Sequence, residues 1–140
     1  MITWLEKDLA ALPAGTATVV FFHHPPFASN TTHASDQIVR EKLVPIFDKY
    51  KVSIVLSGHN HNYVRTCPLV YTASKEVCQK TGTTYVVTGG GGKDLYTFKE
   101  PTPTYVAKQA SVFHFVKLEF MPGGTTNVSA IDESGAVIDS

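Results

Sequence analysis

Apolar positions in the first fifty residues follow two different periods. Ile2, Leu5, Leu9 and Leu12 fall on one helical face, and Thr3 stands at capping-box spacing from Glu6. Residues 3–12 are therefore expected to form a helix, ended by Pro13 and Gly15. The β-branched and aromatic run 16–22 reads as a strand buried on both faces. A loop rich in Pro, Ser, Asn and Thr covers residues 23–34. Ser35 is placed to cap a helix over 36–50, with Ile38, Leu43, Ile46, Phe47 and Tyr50 apolar and Pro45 kinking or interrupting it. Residues 52–56 form the next strand, and strand–helix–strand in succession predicts parallel neighbours with a right-handed crossover.

The later pattern is different. Residues 83–88 read as a strand ending in four glycines, 89–92. Residues 111–120 alternate Val112, His114, Val116, Leu118 and Phe120 against Phe113 and Phe115. Residues 125–131 alternate again, and Pro122-Gly123-Gly124 before them predicts a hairpin. Strand character returns at 136–138. The first half is α/β, and the last third is antiparallel β.

Both early strands end on histidine. Run 16–22 leads into His23-His24-Pro25, and run 52–56 into Ser57-Gly58-His59-Asn60-His61. Open α/β sheets gather ligand sites at the carboxyl ends of their strands, and neutral imidazole is the commonest side-chain ligand for borderline metals. In extended backbone, residues i and i+2 point the same way. His59 and His61 are thus expected to enter one site, with Asn60 turned away and Gly58 leaving room for close approach. The pattern predicts an incomplete metal site.

The remaining candidates carry less. His24 reads as a loop residue rather than a substrate contact. His114, between two phenylalanines, reads as structural, and spacing alone gives His33 no role. The glycine run is not a phosphate loop, because Val87 and Asp94 stand where that motif needs Gly and Ser or Thr. It is expected to be a tight turn against another backbone, near the histidines. The chain has no Gly-x-Ser-x-Gly, and neither cysteine has a histidine nearby in sequence to activate it as a nucleophile.

At 140 residues the chain is one domain at most, and 43% hydrophobic against 17% charged residues makes it globular. Twelve basic side chains balance twelve acidic ones without a block of either, which gives no support for nucleic-acid or membrane-surface binding. No apolar run approaches the ~20 residues of a membrane span. The first residues lack the basic start and apolar core of a signal peptide. Cys67 and Cys78 are either a disulfide across a short loop or two free thiols; spacing leaves both open. Asn30-Thr31-Thr32 and Asn127-Val128-Ser129 are N-glycosylation triplets.

Three stretches together resemble a known family. Phe22-His23-His24-Pro25-Pro26-Phe27, Gly58-His59-Asn60-His61-Asn62-Tyr63-Val64-Arg65-Thr66-Cys67-Pro68 and Val86-Val87-Thr88 with glycines 89–92 are similar to the C-terminal half of calcineurin-like metallophosphoesterases, most of all purple acid phosphatases. The resemblance runs in order over residues 2–100. It implies the C-terminal half of a four-layer α/β/β/α sandwich: strand–helix–strand, then antiparallel strands. It assigns His23 and His59 to a divalent metal and His61 to a ferric ion. His33 falls where the family places a histidine that contacts phosphate and protonates the leaving group, and Val64 replaces a common glutamate.

The implied activity is hydrolysis of phosphate monoesters by a metal-bound hydroxide at a two-metal site, Fe3+ with Zn2+, Mn2+ or Fe2+. The family's aspartates, tyrosine and Gly-Asn-His motif are absent from this sequence. Three imidazoles alone cannot neutralise the roughly five positive charges of such a pair. Residues 1–140 are therefore expected to be the C-terminal part of a catalytic domain whose N-terminal half is missing, inactive alone, with Met1 a fragment start. The alternatives are a single zinc held by His23, His59 and His61 with an open water position, and a metal-free domain that self-associates through an exposed half-sandwich. The family's usual location is secreted or vacuolar and lysosomal, and its members are usually glycoproteins, which fits the two triplets and a Cys67–Cys78 pairing.

Overall fold

The computed structural model describes residues 1–122 and 125–140. Helix α1 (Ile2–Ala10) leads to strand β1 (Val19–Phe22), helix α2 (Gln37–Tyr50) and strand β2 (Ile54–Ser57). Nothing but strands follows: β3 (Tyr63–Thr66), β4 (Leu69–Thr72), β5 (Lys75–Cys78), β6 (Thr84–Thr88), β7 (Val106–Ala110), β8 (His114–Phe120), β9 (Thr126–Asp132) and β10 (Val137–Asp139). A five-stranded sheet has the order β1-β2-β6-β3-β7. Its first three strands are parallel, with Phe22 opposite Ser57 and Ser57 opposite Val87. β3 runs antiparallel to both β6 and β7. A second sheet, β10-β9-β8, is antiparallel, and β4-β5 is a separate hairpin.

Period-two alternation sorts the sheet residues between two cores. Val55 and Tyr85 face the helices, packing with Leu9, Leu43, Val44, Ile46 and Phe47. Val86 and Leu56 face the other way, joining Tyr63, Ala130, Val116 and Ile138 beneath the three-stranded sheet. The layers are helices, sheet, sheet, as in the C-terminal half of an α/β/β/α sandwich.

Tyr63 and Arg65, two apart on β3, both reach Asp139 on β10. The Tyr63 hydroxyl donates at 2.7 Å, and Arg65 makes a side-on pair at 2.6 and 2.8 Å. The Tyr-x-Arg motif is thus a staple between the two sheets. Burial by itself would raise the Asp139 carboxyl, but the Arg65 and Tyr63 hydrogen bonds outweigh it and hold the group below its ordinary value. Val64, between them, points into the interior and is fully buried.

Several expectations shift. Thr3 lies inside α1, Met1 is its N-cap with no side-chain bond, and the Thr3–Glu6 capping box does not form. Asp36 and not Ser35 caps α2, accepting from Val39 N–H at 2.9 Å, while the Ser35 hydroxyl accepts from Ala28 N–H. Pro45 does not interrupt α2: it stands on the exposed side, where the Glu41 carbonyl it leaves unpaired meets water. β1 is not buried on both faces. It is an edge strand, and Phe21 points away from the helices, beyond the reach of the second sheet, with 80% of its surface exposed. The β8–β9 pairing bears out the hairpin, although Gly123 and Gly124 of its turn lie outside the described residues. Cys67 and Cys78 form a disulfide.

Candidate metal centre

β1 and β2 end side by side, so the segments after them emerge together. The Gly58 N–H donates to the His23 carbonyl at 3.1 Å, which extends the parallel pairing by one step. A Cβ on Gly58 would touch His23 Nδ1 at 3.6 Å, an ordinary contact. Beyond Gly58 the chain leaves the extended form. His59 has φ +63°, a left-handed conformation uncommon for a non-glycine residue and concentrated at functional sites.

That turn separates His59 from His61. The His59 ring centroid lies 5.2 Å from that of His23, 4.6 Å from His24 and 4.4 Å from His33. His61 instead stacks on Tyr96, centroids 4.3 Å apart, with Nδ1 2.9 Å from the Asp94 carbonyl oxygen. The backbone between His59 and His61 is a turn and not a strand, so the two rings take different neighbours, although His61 remains near enough to act on His59. Asn60 does face inward and is fully buried.

The structure therefore brings His23 and His59 together, adds His24, and places His33 on the far side of His59. The coordinating nitrogens of His23, His24 and His59 lie within 4.8 Å of one another, and no carboxylate joins that group among the described residues. Burial chiefly, then the neighbouring His33, His24, His23 and His61, push the His59 imidazole below its ordinary value. The shift favours the neutral imidazole, the form that binds metal.

Supporting contacts fix the loops. The Asn60 side-chain amide donates to the His33 carbonyl at 3.1 Å, tying the two histidine loops together. Arg40 on α2 donates to the Pro26 carbonyl at 2.8 Å and to Glu76 at 2.6 Å, its guanidinium 4.4 Å above the Phe27 ring. It thereby anchors the turn that follows His24. A Cβ on Gly89 would fall 2.0 Å from the Asn60 carbonyl oxygen, so the glycine run packs against the histidine loop as expected. His114 is structural, its ring nitrogens 2.9 Å from the Val112 carbonyl and 3.1 Å from the Thr88 hydroxyl.

Tyr96 was not visible to sequence reasoning. Its N–H donates to the His61 carbonyl, and its hydroxyl lies 3.4 Å from His33 Nε2. No local pattern marks it: it stands in the irregular stretch after β6, and only the return of that stretch past the histidines brings it to the site.

Comparison with known proteins points to one family. The family described as iron/zinc purple acid phosphatase-like protein C matches residues 82–140. An Arabidopsis thaliana protein named "Probable inactive purple acid phosphatase 1" is 39% identical over 85 residues, 56% of this chain and 14% of its own length. The Arabidopsis "Fe(3+)-Zn(2+) purple acid phosphatase 12" is 30% identical over 125 residues, 79% of this chain and 27% of its own. The chain thus spans about a quarter or less of these relatives. The structure of purple acid phosphatase PPD1 from yellow lupin (Lupinus luteus) seeds superposes on 98% of the chain and 27% of its own, with TM-score 0.81 and 29% identity. Family match, relatives and fold converge: the chain is similar to the purple acid phosphatases of the calcineurin-like metallophosphoesterase superfamily, and it folds as the C-terminal half of their catalytic sandwich.

Proposed function

We propose that this chain is the histidine-bearing part of a metal-dependent phosphohydrolase that cleaves phosphate monoesters in the manner of an acid phosphatase. The observation that carries the proposal is the convergence of His23, His33 and His59 at the carboxyl ends of β1 and β2, in a chain similar to this family. His23 and His59 would hold a divalent ion (Zn2+, Mn2+ or Fe2+), and His61 a ferric ion. Hydrogen bonding of His61 Nδ1 to the Asp94 carbonyl fixes its tautomer and leaves Nε2 to coordinate. When bound, the two metals supply Lewis acidity at the phosphoryl group and activate water. His33 stands beside His59 with its backbone held by Asn60, placed to stabilise phosphoryl oxygens or to protonate the departing alkoxide.

The donor set on this chain fits one divalent ion and not the pair. Among the described residues, the grouped ligands are imidazole nitrogens without a carboxylate. A bridging anion is needed to hold two ions ~3.5–4 Å apart, and it must come from outside residues 1–140. The edge strand β1 with exposed Phe21 is where the sandwich would continue into an N-terminal half. The Cys67–Cys78 disulfide supports an oxidising location, secreted or vacuolar and lysosomal.

The experiment is metal content by plasma emission beside p-nitrophenyl phosphate and bis(p-nitrophenyl) phosphate hydrolysis, with zinc, manganese or iron added. The chain alone is expected to show no turnover and at most one ion. The chain joined to its upstream half should hydrolyse the monoester preferentially. Two ions and multiple turnovers in the chain alone would overturn the proposal.

A further inference from the structure

The hydrolase reading leaves His24 idle, yet its ring lies closer to His59 than that of His23 does, 4.6 against 5.2 Å. We propose that His23, His24 and His59 form a mononuclear zinc site within this chain, with His24 as its third ligand and a water-filled fourth position.

Four observations carry it. The coordinating nitrogens of these three side chains lie within 4.8 Å of one another. Tetrahedral zinc with Zn–N bonds of ~2.0–2.1 Å puts its nitrogens about 3.3 Å apart, so closing the site needs ring rotations of about an ångström. His23 and His24 are exposed and free to make them.

The second observation is the hydrogen bonding. His61, His33 and His114 each commit a ring nitrogen to the protein: Asp94 carbonyl, Tyr96 hydroxyl, and Val112 carbonyl with Thr88 hydroxyl. Among the described residues no such bond engages His23, His24 or His59.

The third is backbone geometry. The left-handed φ of His59 turns its ring across the end of β1 and away from His61. Strain of this kind persists where the surroundings hold it in place and concentrates at ligand sites. Neighbours His23 and His24 would alternate in a strand, but the turn into Pro25, clamped through Pro26 by Arg40, lets both rings face His59.

The fourth is chemical. Solvent-exposed imidazoles gain little from packing on one another and repel when protonated. Three imidazole nitrogens with no carboxylate suit zinc among the biological divalent ions, and disfavour calcium and magnesium, which take oxygen ligands.

The inference does not depend on phosphatase activity, and its test does not measure it. The tag-free 140-residue chain is titrated with Zn2+ by calorimetry and with Co2+ by visible absorption. One ion per chain with a tetrahedral cobalt spectrum is expected. Loss of a group that merely orients a ligand costs ~10–100-fold in affinity, so His24→Ala should weaken Zn2+ binding by at least about 100-fold. Lys93→Ala, an exposed side chain outside the three-histidine cluster, should change it less than about threefold. Ring-nitrogen NMR of the unmutated chain gives an independent reading: the His23, His24 and His59 resonances shift with one equivalent of Zn2+, and those of His61 and His114 do not. Unaltered binding by His24→Ala, equal loss in Lys93→Ala, or ring shifts that bypass His24 would overturn the proposal. Failure of the hydrolase reading would show only in turnover by the completed domain.

Discussion

Replacing Gly89 with alanine should damage this fold more than any neighbouring glycine change, because the glycine lies against the backbone of the histidine loop. The added Cβ would sit 2.0 Å from the Asn60 carbonyl oxygen, 2.8 Å from its carbon and 3.3 Å from His61 Cα. Relief requires a displacement of at least about 1 Å, since the repulsive wall allows no carbon–oxygen contact near 2 Å. The loop has little room to give it. Asn60 and Asn62 are fully buried, and Gly89 N–H itself donates to the Asn62 carbonyl at 3.1 Å. Overpacking costs about 1–3 kcal/mol, and rigid backbone on both sides places this case at the upper end. At about 3–5 °C per kcal/mol for a domain of this size, the melting temperature should fall by roughly 9–15 °C. Gly91→Ala is the control: nothing lies within 4 Å of its Cβ and its φ is not left-handed. It should be neutral or stabilise by up to about 1 kcal/mol. Thermal melts by circular dichroism, paired with urea unfolding, measure both. A Gly89→Ala melt within about 2 °C of the parent chain would refute the close-packing argument, as would an equal loss in Gly91→Ala.

Two further outcomes test the supports around the site. The Cys67→Ser/Cys78→Ser double variant should lose about 2–3 kcal/mol, the loop-closure entropy of so short a loop, read as a lower urea midpoint at unchanged slope; an unchanged midpoint would sink the estimate. Asp139→Asn should cost about 1–3 kcal/mol at neutral pH by breaking the charged hydrogen bonds to Arg65. Because the folded carboxyl is held below its ordinary value of 3.8, the stabilisation is present above that pH and drains away as pH falls through the lowered value. The parent and Asp139→Asn curves of stability against pH should therefore converge below about pH 4. A gap that persists undiminished at pH 2–3 would mean that the staple does not act through its charge.

Local patterning determined much of this protein. Two apolar runs, each ending on histidine and separated by a helical segment, were enough for parallel β1 and β2 with His23 and His59 at their carboxyl ends. Both facts follow from side-chain period and from the crossover rule, which act within some forty residues of chain. The β8–β9 hairpin was legible for the same reason, through unbroken alternation. Strands β3, β5 and β7 were not: Tyr63–Thr66, Lys75–Cys78 and Val106–Ala110 mix polar and apolar residues without the apolar run that marks β1 and β2.

Tertiary structure decided the makeup of the site. Strand alternation pointed His59 and His61 the same way, but a left-handed residue turns the chain between them, and buried Asn60 ties that turn to the His33 loop. His24 joins through a turn that Arg40 clamps from another element, and Tyr96 arrives from thirty-five residues beyond His61. The choice between a disulfide and two free thiols was likewise settled by distance, since Cys67 and Cys78 bring their Cα atoms to 5.7 Å only once β4 and β5 pair. Chemistry-bearing residue types are written in the sequence. Which of them meet depends on where loops return after the sheet has formed, and that depends on contacts no single stretch of chain contains.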